Sequence, residues 1–594
     1  MSSLALDQAQ TVSLRGLITL VGDLANLVAD SIGPHGKAVM INIHSPKQIV
    51  VTKNGLDILE AIRGRQHPLV DKILDMVASH ISRFGDGTKR VLVMLNHFLR
   101  ALERQQPLQS GLEVKWRIET LAQVRRFRHR TFALVLNNLR GPQVKKISVW
   151  NELEDVLRYI VKGFMSTRFP PASADILSNL LFENFMKPHL EAVLESASDQ
   201  QDSKECIKNC MIELSQNIYK KVLLGINQPV SNSSVLPSGF YLSQNLPNTI
   251  SSNVNSRFII WLARRDELEE NDDNTNVVIK DGTMMSELSG WKFLKWKSET
   301  FRAFVLRLKS FQVNFIIKVN GLKDHEKSIC QELEMAVIEY VDREEAVDLA
   351  SEADVLVLNG SVYDNLQVVD EKFIGQTTTP ANEVRLGRHF YTKLTLPEKD
   401  DVPRVPHIFI CGMTQSSAEQ YSKALAQCMR LLATSLTRSS KCIMAIPEEE
   451  SPNGSAEIIK ITSLFVTDGP NNSKWQSTAL DSFEHGLIKA LNIQLTSSTE
   501  AVKELDVILA LRKTLEALVS DVASKYETCS RKCPLQFNNL TTTTTSAPYP
   551  LDSAVEQINT VLDITEMLLS IERICSVKRR IKDVITKECD NDTL

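Results

Sequence analysis

No stretch of the 594-residue sequence approaches the roughly 18 consecutive apolar residues that a membrane span needs, although hydrophobic residues make up 43% of it. Membrane insertion is therefore not expected. The opening MSSLALDQAQ is polar and does not read as a secretory signal. An excess of one charge is missing as well. Lys and Arg total 68 against 72 Asp and Glu, a net charge of −4, which gives no broad electrostatic reason to bind nucleic acid or an anionic membrane. Cysteine is sparse and scattered, with ten residues in all. The close pairs, Cys206/Cys210 and Cys529/Cys533, have C-x3-C spacing. No nearby His or Cys completes the four ligands of a zinc site. They read as free, structural cysteines of a reducing cytosol.

What is present is enough chain for several domains. Leu14, Leu17, Val21, Leu24 and Val28 recur at steps of three and four and predict an amphipathic helix over 13–31. Gly33-Pro34-His35-Gly36 stops it, because proline lacks an N–H and glycine permits a turn. Short β-like runs at 38–42 and 48–52 lead to an Asn54-Gly55 turn and a helix over 56–63. Two more helices, 68–83 and 89–104, flank Phe84-Gly85-Asp86-Gly87-Thr88.

The middle of the chain changes pattern. Apolar runs at Arg257–Leu262, Val313–Lys318, Ala336–Val341 and Asp354–Leu358 alternate with helical stretches such as 298–310 and 343–352. That alternation predicts a compact α/β domain with a largely parallel sheet. The acidic, Asn-rich run 266–276 reads as an exposed loop. Helices return afterwards, with one stripe through Ala418, Tyr421, Leu425, Cys428 and Leu432 and another through Val555, Ile558, Leu562, Thr565 and Leu569. The segments 446–456 and 534–550, the latter with the threonine run Thr541–Thr545, read as loops.

Glycine loops ahead of helices can cradle phosphate, because unpaired backbone N–H groups and the helix dipole face the anion. One such loop is weak evidence, but here three occur in order. Ile32-Gly33-Pro34-His35-Gly36 resembles the L-G-P-K-G of group II chaperonins. Thr52-Lys53-Asn54-Gly55-Leu56-Asp57-Ile58-Leu59 resembles T-N-D-G-A-T-I-L, and Gly85-Asp86-Gly87-Thr88-Lys89 resembles G-D-G-T-T. Further on, Pro229-Val230-Ser231 and Gly239 look like the entry to a chaperonin apical domain. Ile408–Gly412 with the following helix looks like the return to the equatorial domain, and 553–577 like its last helix.

The resemblance implies a multidomain α/β subunit. Its equatorial domain would be mostly helical (1–150 and 408–594), with a small hinge-like intermediate domain (151–226 and 373–407) and an α/β apical domain (227–372) that holds client protein. It implies ATP and Mg²⁺ at the equatorial loops, with Gly33, Pro34, Asn54, Gly55, Gly85, Asp86, Gly87, Thr88, Lys89 and Gly412 as nucleotide-side residues. Asp86 would face the metal.

The match is incomplete where hydrolysis needs it. The aspartate of N-D-G is Asn54, the aspartate of the helical S-L-H-D-A-L is Gln427, and the second threonine of G-D-G-T-T is Lys89. The later G-G-G-A loop has no counterpart; the best alignment places it near Ala479-Leu480-Asp481-Ser482, ahead of Glu484. An amide neither holds Mg²⁺ as a carboxylate does nor takes a proton from the attacking water. Lys89 is either a cation toward phosphate or a solvated surface lysine.

Lost carboxylates resemble the Bardet–Biedl syndrome chaperonin-like branch, as do Leu59-Glu60-Ala61 and Val77-Ala78-Ser79-His80. That branch implies a cytoplasmic assembly factor near the centrosome and ciliary base. Its partners would be other Bardet–Biedl chaperonin-like proteins, cytosolic chaperonin subunits and client subunits of the ciliary coat complex. Two alternatives stay open: an ATP-hydrolysing subunit that folds clients directly, and a nucleotide-independent scaffold. The basic run Arg125–Arg130 reads as a solvated face or partner contact rather than a nucleic-acid site. Lys578-Arg579-Arg580 reads as a complement to a helix dipole. Trp291, Trp296 and Phe301 read as core, with a client-binding patch as the alternative.

Overall fold

A computed structural model describes residues 10–11, 13–32, 36–44, 47–63, 68–106, 113–137, 144–147, 150–196, 200–245, 256–262, 287–359, 369–397, 404–437, 463–466, 484, 486–493, 495, 504–532, 549–571 and 573–574. The chain divides into two compact units. The first combines Met1–Ala174 with Gln427–Leu594, and the second is Asp175–Ala426. The acidic run 266–276, the loop 446–456, the threonine run and Ala479–Ser482 lie outside the described residues.

The first unit is built on helices. Helix Leu14–Ala29 starts at Ser13, whose hydroxyl accepts the Gly16 N–H at 3.1 Å and so satisfies an otherwise orphaned donor. Its buried residues include Leu14, Leu17, Val21, Leu24 and Val28, the stripe that the spacing predicts. Helix Pro68–Phe84 follows, then helix Thr88–Glu103. The latter buries Val91, Leu92, Val93, Met94, Leu95, Phe98 and Leu99. A helix apolar on most of its circumference belongs inside a core. It packs against helices Leu14–Ala29, Leu505–Lys532 and Leu551–Ser570, so both ends of the sequence close over one hydrophobic cluster. Strand Gln10–Thr11 pairs antiparallel with Arg573–Ile574, and Val39–His44 with Lys47–Thr52 forms a hairpin.

The last helix is shorter than the sequence pattern suggests and ends at Ser570 rather than 577. Arg117 explains the stop. Its guanidinium donates to the carbonyls of Leu569 at 2.8 Å, Leu568 at 2.9 Å and Ile571. A cation there satisfies the free carbonyls and complements the helix dipole. Arg117 thus complements the dipole of this helix, and Lys578–Arg580 lie outside the described residues. The basic run is also not simply solvated. Arg125 pairs with Glu566 at 2.7 Å, and Arg128 pairs with Asp563 at 2.5 Å and Glu566 at 3.3 Å.

His80 is a buried titratable group of this core. Its Nδ1 lies 2.9 Å from the Thr560 hydroxyl, and its ring stacks on Phe84 with centroids 5.0 Å apart. Burial lowers its pKa to about 4, with Asp86 opposing and Arg83 adding to the shift. The unfolded ring binds a proton near 6.5 and the folded one only near 4. Stability present above pH 6.5 is therefore lost as pH falls toward 4. Urea titrations should show roughly 2–3 kcal/mol of this loss in the natural chain. A His80→Gln variant should show a flatter profile across the same window.

The second unit holds the α/β part. Its main sheet runs Ala336–Ile338, Phe315–Lys318, Arg257–Leu262, Leu358–Asn359, all parallel, with Ile374–Gln376 antiparallel to Arg257–Leu262. Successive side chains of a strand point to opposite faces. Phe258, Ile260, Leu262, Phe315 and Ile317 accordingly pack with Ala346, Leu349 and Ala350 of helix Arg343–Ala353. Ile259, Trp261 and Ile316 pack with Phe301, Phe304, Val305 and Leu308 of helix Glu287–Ser310. Both faces are covered, which is why these strands read as continuous apolar runs.

The run at 354–358 pairs only at Leu358–Asn359, because Asp354 adopts a left-handed φ of 58° to close the preceding helix. Phe301 is core at 2% exposure, whereas Trp296 is 49% exposed. The side chain of Trp291 lies outside the described residues. Cys210, Cys330, Cys411 and Cys428 are buried, and Cys330, Cys411 and Cys428 are free thiols. Among the described residues, no helix is long and apolar enough to cross a membrane.

Candidate functional site

The second and third loops meet at the start of helix Thr88–Glu103, inside the first unit, with Ser31 and Gly36 from either side of Gly33–His35 beside them. Gly36 passes close to Ser31: a Cβ on it would lie 2.4 Å from the Ser31 carbonyl oxygen. That same carbonyl accepts the Lys89 ammonium at 2.6 Å. Gly55 lies against Lys89 and Thr88, where a Cβ would come within 2.7 Å of the Lys89 side chain. Ser31 and the second loop are thus both tied to the third loop.

The third loop depends on its glycines. Gly85 has φ +74° and Gly87 φ +101°, conformations that side chains disfavour. A Cβ on Gly85 would fall 2.0 Å from the Gln427 carbonyl oxygen, and one on Gly87 would fall 2.9 Å from the Gln557 side chain. The loop is therefore sandwiched between two C-terminal helices, Gln415–Thr437 and Leu551–Ser570.

Asn54 is used structurally. Its side-chain oxygen accepts the Leu56 N–H at 3.3 Å and caps helix Gly55–Glu60. Gln427 is 2% exposed, and its Oε1 has no hydrogen-bond partner among the described residues.

Asp86 pairs with Arg168, Nη2 to Oδ1 at 2.9 Å. Arg168 is pinned in turn. It donates to the Phe164 carbonyl and the Thr167 hydroxyl, each at 3.2 Å, and lies over the Phe164 ring at 3.5 Å. Burial alone would raise the Asp86 carboxyl. The Arg168 charge and hydrogen bond, the Gly87 N–H and the Lys89 charge outweigh it and hold the group below its ordinary range. Burial, with repulsion from Arg168 and Lys53, pulls the Lys89 ammonium down to about 7 against the attraction of Asp86. Lys89 is thus a partly buried member of the site, not a solvated surface lysine.

These residues do not fit Mg²⁺. That ion takes oxygen ligands, usually one or two carboxylates together with phosphate and water. The carboxylate of the loop is occupied by a guanidinium, and its two family companions are amides. Among the described residues, no cluster of three or more His, Cys, Asp or Glu side chains has a metal-holding arrangement.

The structure therefore gathers Asn54, Gly55, Gly85, Asp86, Gly87, Thr88 and Lys89, with Gln427 beside them. Gly33 and Pro34 lie outside the described residues. Gly412 belongs to the second unit, where it ends strand Ile408–Gly412 and its carbonyl accepts the Gln228 N–H at 3.2 Å. Arg168 and Gln557 are the members that the motifs miss. Both are distant in sequence, and no local pattern marks either.

The model of the TCP-1/cpn60 chaperonin family matches residues 24–443. The chain superposes on a crystal structure of a group III chaperonin in the open state with a TM-score of 0.59 at 15% identity, covering 94% of this chain and 98% of that one. At that identity the likeness shows the fold: a multidomain α/β chaperonin subunit.

Among curated proteins, the BBSome complex assembly protein BBS10 of Homo sapiens and that of Pongo abelii are each 31% identical over 90 residues. That segment is 15% of this chain and 12% of theirs. The Mus musculus protein is 32% identical over 79 residues, 13% of this chain and 11% of its own length. The match thus spans about one eighth of these relatives. On the family match across most of its length and the shared fold, the chain belongs to the TCP-1/cpn60 chaperonin family.

Proposed function

We propose that this chain is a chaperonin-like assembly factor whose nucleotide site has lost its hydrolytic half, and that it helps assemble a ciliary coat complex. In this reading, residues 227–372 hold client and 151–226 with 373–407 act as the hinge. Residues 1–150 and 408–594 carry the nucleotide site, which Arg168 of the hinge segment completes, and the contacts with other subunits. Its partners are related Bardet–Biedl chaperonin-like proteins and the cytosolic chaperonin, in the cytoplasm near the centrosome and ciliary base. The observation that carries the loss of hydrolysis is the Asp86–Arg168 pair, together with the amides Asn54 and Gln427 that stand where the resembling motifs carry aspartate. The assembly role is supported by the likeness to proteins named for BBSome complex assembly.

Depletion of the chain in ciliated cells of its source, followed by native size fractionation, tests the assembly role. Coat-complex subunits should shift from the assembled fraction to free or chaperonin-bound pools. Unchanged assembly after full depletion would contradict it.

A further inference from the structure

The cluster at the start of helix Thr88–Glu103 carries more positive than negative charge. Arg168 and Lys89 both lie close enough to Asp86, the carboxylate of the third loop, to favour its ionised form, and Lys53 lies close enough to Lys89 to oppose its charge, while Asp57 of the second loop is engaged by the Thr52 hydroxyl at 3.1 Å. The Nε of Arg168 is buried and has no acceptor among the described residues. Gly87, which precedes the helix, makes no side-chain cap, so backbone N–H groups and the positive end of the dipole face the loop. A divalent cation brought here would meet the permanent charge of Arg168 and a carboxylate already engaged by it at 2.9 Å. A polyanion would meet the opposite situation.

We propose that Arg168 stands in for the divalent cation at this site, so that a nucleoside triphosphate binds as the metal-free anion. This rests on the nucleotide site proposed above and specifies its ligand. The guanidinium would neutralise Asp86, which would otherwise repel the phosphates, and would leave an unused N–H to donate to a phosphate oxygen. Arginine suits this role because its charge is permanent and its donors form a planar fork. Lys89, held near the loop by the Ser31 carbonyl at 2.6 Å, supplies a second N–H donor.

The test uses the full chain with ATP as the probe, in EDTA and in excess Mg²⁺, read by thermal shift and calorimetry. Manganese binding is followed separately by the electron paramagnetic resonance of free Mn²⁺. In the natural chain, ATP in EDTA should stabilise the fold and bind at least as tightly as Mg²⁺-ATP, and Mn²⁺ alone should stay free. Arg168→Met should expose Asp86, so that Mn²⁺ is captured and ATP binding becomes at least tenfold tighter with metal than without. Asp86→Asn added to Arg168→Met should abolish the capture. Should Arg168→Met not fold, Arg168→Lys keeps the charge and should retain metal-free binding.

ATP binding that requires Mg²⁺ in the natural chain, or Mn²⁺ capture there that Asp86→Asn removes, would overturn the inference while leaving an inherited nucleotide site standing. Failure of ATP to bind in either form would overturn both.

Discussion

Arg168→Ala should destabilise the first unit by about 2–3 kcal/mol. Removing one partner of a buried ion pair costs about 3–5 kcal/mol, because the other charge stays behind uncompensated. The cost here is lower, since the Asp86 side chain keeps 29% exposure while Arg168 keeps 11%. The variant also loses the stacking on Phe164 and the hydrogen bonds to Phe164 and Thr167. Hydrogen exchange of the amides in helix Thr88–Glu103 reads the effect, because that helix starts at the loop carrying Asp86. Arg168→Ala with Asp86→Asn should recover part of the loss, because the stranded carboxylate is gone. A double variant as damaged as the sum of the two single ones would show that the pair is not coupled.

Gly85→Ala is expected to cost about 2–5 kcal/mol, a large share of the roughly 5–15 kcal/mol that usually holds a domain together. Two penalties combine. A side chain at φ +74° costs about 1–2 kcal/mol. The new methyl would also lie 2.0 Å from the Gln427 carbonyl oxygen, and relieving such overpacking typically costs about 1–3 kcal/mol. Because the obstacle is helix backbone, no side-chain rotation removes it. Gly22→Ala is the matched control. It sits in helix Leu14–Ala29, and its added methyl would meet only Arg100 and Asn96 side-chain atoms at 3.4 and 3.5 Å. That change should be neutral or stabilising by up to about 1 kcal/mol. Urea denaturation of the two variants side by side gives both numbers. Equal effects would mean that the third loop does not need its left-handed glycine.

The loops were legible in the sequence because glycine and proline punctuate strongly periodic helices. Leu14 to Val28 and the turn at Gly85–Gly87 are local patterns with local causes. The buried sheet was legible for the same reason, since strands covered on both faces must be apolar throughout. What stayed hidden is long-range. Arg168 reaches Asp86 across 82 positions, and nothing around Thr167-Arg168-Phe169 marks it as more than the end of a helix. Arg117 caps carbonyls more than 450 residues away, which moved the end of the last helix to Ser570. The short strand at Leu358–Asn359 differs for a local reason that an apolar run does not display, the left-handed cap at Asp354. The substitutions Asn54 and Gln427 were visible as departures from a motif. Only the structure shows that Asn54 caps a helix and that Gln427 presses its backbone against Gly85.

Mg²⁺-ATP turnover by the purified natural chain, beside an Asn54→Asp, Gln427→Asp, Arg168→Met triple variant, tests the central claim most directly. The natural chain should show no turnover above background. Any gain in the variant would mark the site as one whose hydrolytic carboxylates were lost and whose remaining carboxylate is held by an arginine. Turnover by the natural chain at the rate of a conventional chaperonin, abolished by Asp86→Asn, would contradict the account and make this chain a working ATP-driven chaperonin subunit.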